Sequence, residues 1–183
     1  MKKTIVFCIA AALAVPSGAL AAKPVDKQNA AKECKAERGT DAATQEAFRA
    51  KYGTNRNGKN AYGKCVSQKT REEAAERKSA RRGASKQCRA ERDELGEEAF
   101  AEKYGTNRNN KNAFGKCVST HAKTVREEQD AADAEAIETA KNAAKECDAE
   151  RGDTAESQAT FEEKYGTNRN KNNAFGKCVS SKS

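Results

Sequence analysis

KYGTNRNGKNAYGKCVS, residues 51–67, is written twice more almost letter for letter: KYGTNRNNKNAFGKCVS at 103–119 and KYGTNRNKNNAFGKCVS at 164–180. Outward from each copy lies a shared start, Cys-x-Ala-Glu-Arg, at Cys34–Arg38, Cys88–Arg92 and Cys147–Arg151. Every unit thus opens and closes on a cysteine. Six such cysteines permit fifteen pairings. Only pairing within a copy gives three equivalent units, so the bridges predicted are Cys34–Cys65, Cys88–Cys117 and Cys147–Cys178.

Between the cysteines the sequence reads as helix. Stretches such as NAAKECKAER and TQEAFRAKY are rich in Ala, Glu, Lys and Arg and poor in β-branched residues. Three helices per unit are expected. The first carries the opening cysteine and stops near Gly39, Asp93 or Gly152. The second carries an i, i+4 aromatic pair, Phe48/Tyr52, Phe100/Tyr104 or Phe161/Tyr165, on one face. The third follows an asparagine-rich loop and carries the closing cysteine. Gly53, Gly105 and Gly166 suit a left-handed cap. Asn55 and Asn57 suit turns, and Asn60, Asn112 and Asn173 stand where a helix N-cap belongs. Gly63, Gly115 and Gly176 lie early in the third helix, where close approach to the first would explain them.

Composition demands the staples. Apolar residues make up 36%, with no Trp and a single Met. One large core is out of reach, and several small closed ones are expected. Closing a loop of about 30 residues stabilises by roughly 3.5 kcal/mol on the chain-entropy account, so reduction is expected to unfold a unit.

The first residues bear on compartment. Lys2 and Lys3, the apolar run Ile5–Val15, the break Pro16-Ser17-Gly18 and the small residues Ala19–Ala22 have the grammar of a secretory signal cleaved after Ala21 or Ala22. The run is too short to span a bilayer, and Cys8 lies inside it behind Phe7, which does not suit a lipid anchor. Without Lys2 and Lys3 the net charge falls from +8 to +6. An even cysteine count in an oxidising compartment favours disulfides. The chain divides into a signal (1–22), modules at 29–69, 83–123 and 142–183, and spacers at 70–82 and 124–141.

The spacers carry two further signals. The second exceeds the first by seven residues, close to two helical turns. It strings Ala122, Val125, Ala132, Ala136, Ala140 and Ala143 along one stripe, which fits a long exposed helix or a thin seam against a partner. Gly83 weakens the case for an unbroken first spacer. Residues 69–92 are strongly basic and 124–141 acidic. These read either as solvated faces with pairs such as Glu73–Arg77, or as surfaces for head-to-tail association.

Catalytic patterns are missing. His121 occurs in one copy only, and no G-x-S-x-G, H-E-x-x-H or Walker sequence occurs. Two cysteines without histidine do not close a zinc site. The loop Asn-x-Asn-Gly-x-Asn lacks the acids that calcium needs. No metal or cofactor is expected.

Cations remain. Each repeated stretch holds four: Lys51, Arg56, Lys59, Lys64; Lys103, Arg108, Lys111, Lys116; Lys164, Arg169, Lys171, Lys177; and none holds an acid. A structural reading covers some of them. Lys51 suits the end of its helix, and Arg56, Arg108 and Arg169 could pair with Glu37, Glu91 and Glu150. Lys64 opposes its helix dipole and resists that account. A binding reading makes the three patches an avid site for an anionic envelope polymer, acidic polysaccharide or extracellular nucleic acid.

The pattern Cys-x-Ala-Glu-Arg, Phe-x-x-Lys-Tyr-Gly-Thr-Asn, Asn-Ala-Phe-Gly-Lys-Cys-Val resembles a repeat of secreted, uncharacterised proteins of high-GC Gram-positive bacteria. The resemblance implies export and repetition and brings no activity. The expectation is an all-α protein of three small disulfide-stapled helical modules joined by long charged helical spacers. It would be secreted or extracytoplasmic, without enzymatic activity, and would bind an anionic polymer. The alternative is a structural or self-assembling spacer of the envelope.

Overall fold

The computed structural model describes residues 22–183; residues 1–21, which hold most of the signal-like segment and Cys8, lie outside the described residues. Seven helices and no strand occur among the described residues: α1 (Pro24–Arg38), α2 (Ala42–Tyr52), α3 (Ala61–Leu95), α4 (Glu97–Tyr104), α5 (Ala113–Arg151), α6 (Ala155–Tyr165) and α7 (Ala174–Lys182). All three bridges close as the repeat predicts, Cys34–Cys65, Cys88–Cys117 and Cys147–Cys178, each with Cα atoms 6.0 Å apart.

The spacers are helical, as expected, but they do not string the modules out. α3 runs unbroken through Gly83 and α5 through 39 residues, about 52 and 58 Å long at 1.5 Å per residue. They lie antiparallel, joined by Cys88–Cys117 near one end and by Arg126–Glu73 midway. α1 returns along the first half of α3, with Lys69 on Glu33 and Arg77 on Asp26. One pole of the resulting hairpin is the second module alone. At the other pole the first and third modules meet, where α2 packs on both α5 and α7.

Three small cores match the three repeats. Cys34, Phe48, Tyr52, Ala61 and Cys65 fill the first, and Cys88, Phe100, Ala113, Cys117 and Val118 the second. The third, around Cys147, Phe161, Phe175 and Cys178, also takes in Ala43 from α2. That contact had a sequence signal. α2 carries Ala43, Ala47 and Ala50 on one face, where the third unit has Glu156, Thr160 and Glu163. Only the alanines let another helix approach.

Several local expectations need correction. The backbone at Gly53, Gly105 and Gly166 is extended (φ −70°, −68°, −72°), not left-handed. Glycine is needed there for room: a Cβ on Gly53 would stand 2.5 Å from the Arg49 carbonyl oxygen. The left-handed residues fall later in the loop, at Gly58, Asn110 and Lys171 (φ 63°, 52°, 53°). Asn60, Asn112 and Asn173 occupy the N-cap position but do not cap; they reach back to the threonine after each of those glycines. A Cβ on Gly63 or Gly115 would meet nothing within 4 Å, so neither glycine serves an approach to the first helix. On Gly176 it would come 3.2 Å from Ala50 of α2, a neighbour from another module. The first helix of the second unit passes Asp93 and stops at Leu95.

The stripe of α5 is covered only in part, by helices of the same chain. Ala122 and Ala143 are buried in it, but Ala132 and Ala136 are exposed, and Ile137 and Ala144 take the inner positions. Charged side chains enter it as well. Glu73 is 2% exposed and receives Arg126 at 2.5 Å. It does not pair with Arg77, which goes to Asp26 at 3.0 Å. The solvated-face reading of this part of the spacer therefore fails: desolvating a carboxylate is costly unless a partner is supplied, and α5 supplies one.

Candidate functional site

Each loop is built the same way. The second helix ends on Lys-Tyr, the chain turns at Gly-Thr-Asn, and the closing asparagine ties the loop back. The Asn60 Oδ1 accepts from the Thr54 N–H at 3.1 Å, while its Nδ2 donates to the Thr54 Oγ1 at 2.7 Å. Asn112 with Thr106 and Asn173 with Thr167 repeat this. The loop cations therefore project from a fixed frame.

Lys51, Lys103 and Lys164 belong to that frame. They donate to Glu37, Glu91 and Glu150 at 2.5, 2.6 and 2.5 Å, and the neighbouring tyrosine hydroxyls donate to the same carboxylates. The pairing of those glutamates with Arg56, Arg108 and Arg169, which the structural reading of the sequence allows, does not form; the lysines take them instead. Chain direction explains it, because the lysine sits in the last turn of its helix beside the first helix, whereas the arginine lies out on the loop. This glutamate–lysine–tyrosine cluster was missed, although its signal was present: all three residue types recur in all three copies. The arginine of Cys-x-Ala-Glu-Arg has a role too, stacking on the aromatic ring of the third helix (Arg38 on Tyr62, Arg92 on Phe114, Arg151 on Phe175).

These clusters shift their carboxylates. The hydrogen bond from Lys164, then that from Lys182, holds Glu150 down to about 2. Lys103 and then Tyr104 lower Glu91 likewise. Burial, and then the hydrogen bond to Glu73, pushes Glu33 up to about 7. The position four residues after the closing cysteine is basic in each unit: Lys69 meets Glu33, His121 meets Glu91 at 3.5 Å and Lys182 meets Glu150 at 3.0 Å. His121 also lies within 4.8 Å of Cys88 and Cys117. Both sulfurs are spent in a disulfide and are not thiolate ligands.

The remaining nine cations differ. Arg56, Lys59, Lys64, Arg108, Lys111, Lys116, Arg169, Lys171 and Lys177 have no ion-pair partner among the described residues. They are not gathered into one patch. Lys177 and the Asn172–Asn173 corner share a groove of about 460 Å³ with Lys51 and Lys141, at the junction of the first and third modules. The loop of the second module is at the opposite pole, about 50 Å away along α5.

Fold and site together define an all-α protein of three disulfide-closed helical units on an antiparallel helical hairpin. No family model, curated protein or solved structure matches the chain.

Proposed function

We propose that this is an exported, non-enzymatic protein that binds an anionic envelope or extracellular polymer through its asparagine-rich loops. The supporting observation is the division among the loop cations. One per unit is used in an ion pair; the other three have no ion-pair partner among the described residues. Two of them lie on a loop tied down by its own hydrogen bonds, and the third, Lys64, Lys116 or Lys177, in the first turn of the helix that follows. A pre-ordered loop loses little freedom when it binds, and two poles of cations on one rigid hairpin suit a polymer long enough to touch both. Export rests on the signal-like start and agrees with three disulfides. No helix among the described residues is long and apolar enough to cross a membrane.

A structural or self-assembling spacer has less support. Ala122 and Ala143 of the alanine stripe are covered by helices of the same chain, which leaves that reading the exposed Ala132 and Ala136 and surface charge. Sedimentation of the mature protein with purified cell wall over a salt series tests the binding reading. Binding at low salt that weakens steadily as salt rises is expected; no binding at low salt, or binding indifferent to salt, refutes it.

A further inference from the structure

We propose that the face of α3 between Lys78 and Arg89 is a binding site for a linear phosphate-bearing polymer. It lies on a surface separate from the loops. It extends the polymer-binding reading above, and the experiment below separates failure of one from failure of the other.

Residues 77–90 read RKSARRGASKQCRA, six cations without a single acid. Lys78, Arg82, Lys86 and Arg89 follow at four, four and three positions and so share one face, with Arg81 beside them. All five are exposed, and none has an ion-pair partner among the described residues. They rim a shallow trough whose remaining lining is Arg77, which is paired with Asp26, and the small residues Ala74, Ser79, Gly83 and Ser85. α1 runs antiparallel along α3 and begins at Pro24, with Asp26 against Arg77, and among the described residues none of its turns covers this side of α3 beyond that point.

Two local rules are broken here with nothing nearby to compensate. Like charges four residues apart on a helix destabilise it, and both 78/82 and 82/86 are such pairs. Glycine in a helix interior is unfavourable, yet Gly83 sits mid-helix, and a Cβ there would meet nothing within 4 Å. Packing therefore explains neither the run of cations nor the glycine. An anion explains both: it neutralises the run, and the missing side chain lets a chain lie close to the helix. Three of the five cations are arginines, whose planar fork matches phosphate oxygens two at a time. One cation per turn, about 5.4 Å, is a step that a flexible phosphodiester chain can follow.

The test is fluorescence anisotropy with the full mature protein and two labelled probes, a 20-nucleotide single-stranded DNA and a poly(glycerol phosphate) chain. Either probe should bind, and the one that does names the source of the phosphate. The exposed double substitution Arg82→Glu/Arg89→Glu, with helicity checked by circular dichroism, should weaken binding at least tenfold. It should also flatten the slope of log K against log salt by roughly 1.4, about 0.7 for each phosphate that is no longer neutralised. Gly83→Gln should raise the unfolding temperature yet weaken binding severalfold, an opposition that general loss of fold cannot produce. The proposal is overturned if neither probe binds at low salt, or if Arg82→Glu/Arg89→Glu leaves affinity within twofold. It is also overturned if Arg56→Glu/Arg108→Glu/Arg169→Glu alone abolishes binding while the α3 substitutions do nothing, an outcome that would leave the loop reading standing. Concentration-dependent self-association in sedimentation velocity, lost in Arg82→Glu, would assign the face to a second copy of this chain and refute the polymer.

Discussion

Asn60 and Thr54 are joined by two hydrogen bonds, Nδ2 to Oγ1 at 2.7 Å and backbone N–H to Oδ1 at 3.1 Å, and the same double tie closes the loop in all three units. The asparagine must both donate and accept, which aspartate and alanine cannot do. Asn112→Asp keeps the acceptor and loses the donor; Asn112→Ala loses both. Thermal unfolding should show Asn112→Ala destabilised by about 1–2 kcal/mol, with Asn112→Asp between it and the parent. Equal losses for the two substitutions would contradict the double tie.

Glycines at one repeat position should respond oppositely. Gly63→Ala and Gly115→Ala place a Cβ in open space on a helix and should stabilise by roughly 0.5–1 kcal/mol. Gly176→Ala sets its Cβ 3.2 Å from Ala50 and should lose that gain by forcing α2 and α7 apart. Calorimetry on the three single variants checks the contrast.

Lys171 holds φ at 53°, where the first unit has Gly58 at 63°. A side chain is disfavoured there by about 1 kcal/mol. Lys171→Gly should therefore leave stability unchanged or raise it, despite the added backbone freedom. A marked loss in urea unfolding would show that the lysine stem packs better than its backbone suggests.

Stability should peak on the acid side of neutral. Glu33 is held up to about 7 against an ordinary 4.5, so the folded state keeps its proton more tightly. That contribution is complete below pH 4.5 and is lost as pH rises to about 7, to the extent of about 2 kcal/mol. Glu150, held down to about 2, works in the other direction: its contribution is present above pH 4.5 and is lost as pH falls toward 2. Unfolding temperatures measured from pH 2 to 8 should pass through a maximum near pH 5. Glu33→Gln should flatten the alkaline limb and leave the acid limb alone.

The three bridges should differ in importance. The first and third modules brace each other through α2, α5 and α7, whereas the second stands alone at its pole. Cys88→Ala/Cys117→Ala should cost the full value of about 3.5 kcal/mol and expose the amides of α4 first in hydrogen exchange. Cys147→Ala/Cys178→Ala should cost less, since Ala43 and Gly176 still hold that core.

Sequence alone determined the secondary structure and the covalent frame of this protein, because both are set by short-range chemistry repeated three times. Alanine, glutamate and lysine make helix wherever they fall, and three copies with two cysteines each admit one symmetric pairing. The glutamate–lysine–tyrosine cluster was also written in the repeat, but its pairing depended on which of two nearby cations faced the first helix, a matter of direction rather than type. What only the tertiary structure decided is that the spacers fold back on each other. Glu73 reads as a solvated residue paired along its own helix, and Ala122 as part of a stripe whose partner is not named. A thin alanine face and a few charges become a buried seam only when another helix supplies the other half, and no local pattern names that helix.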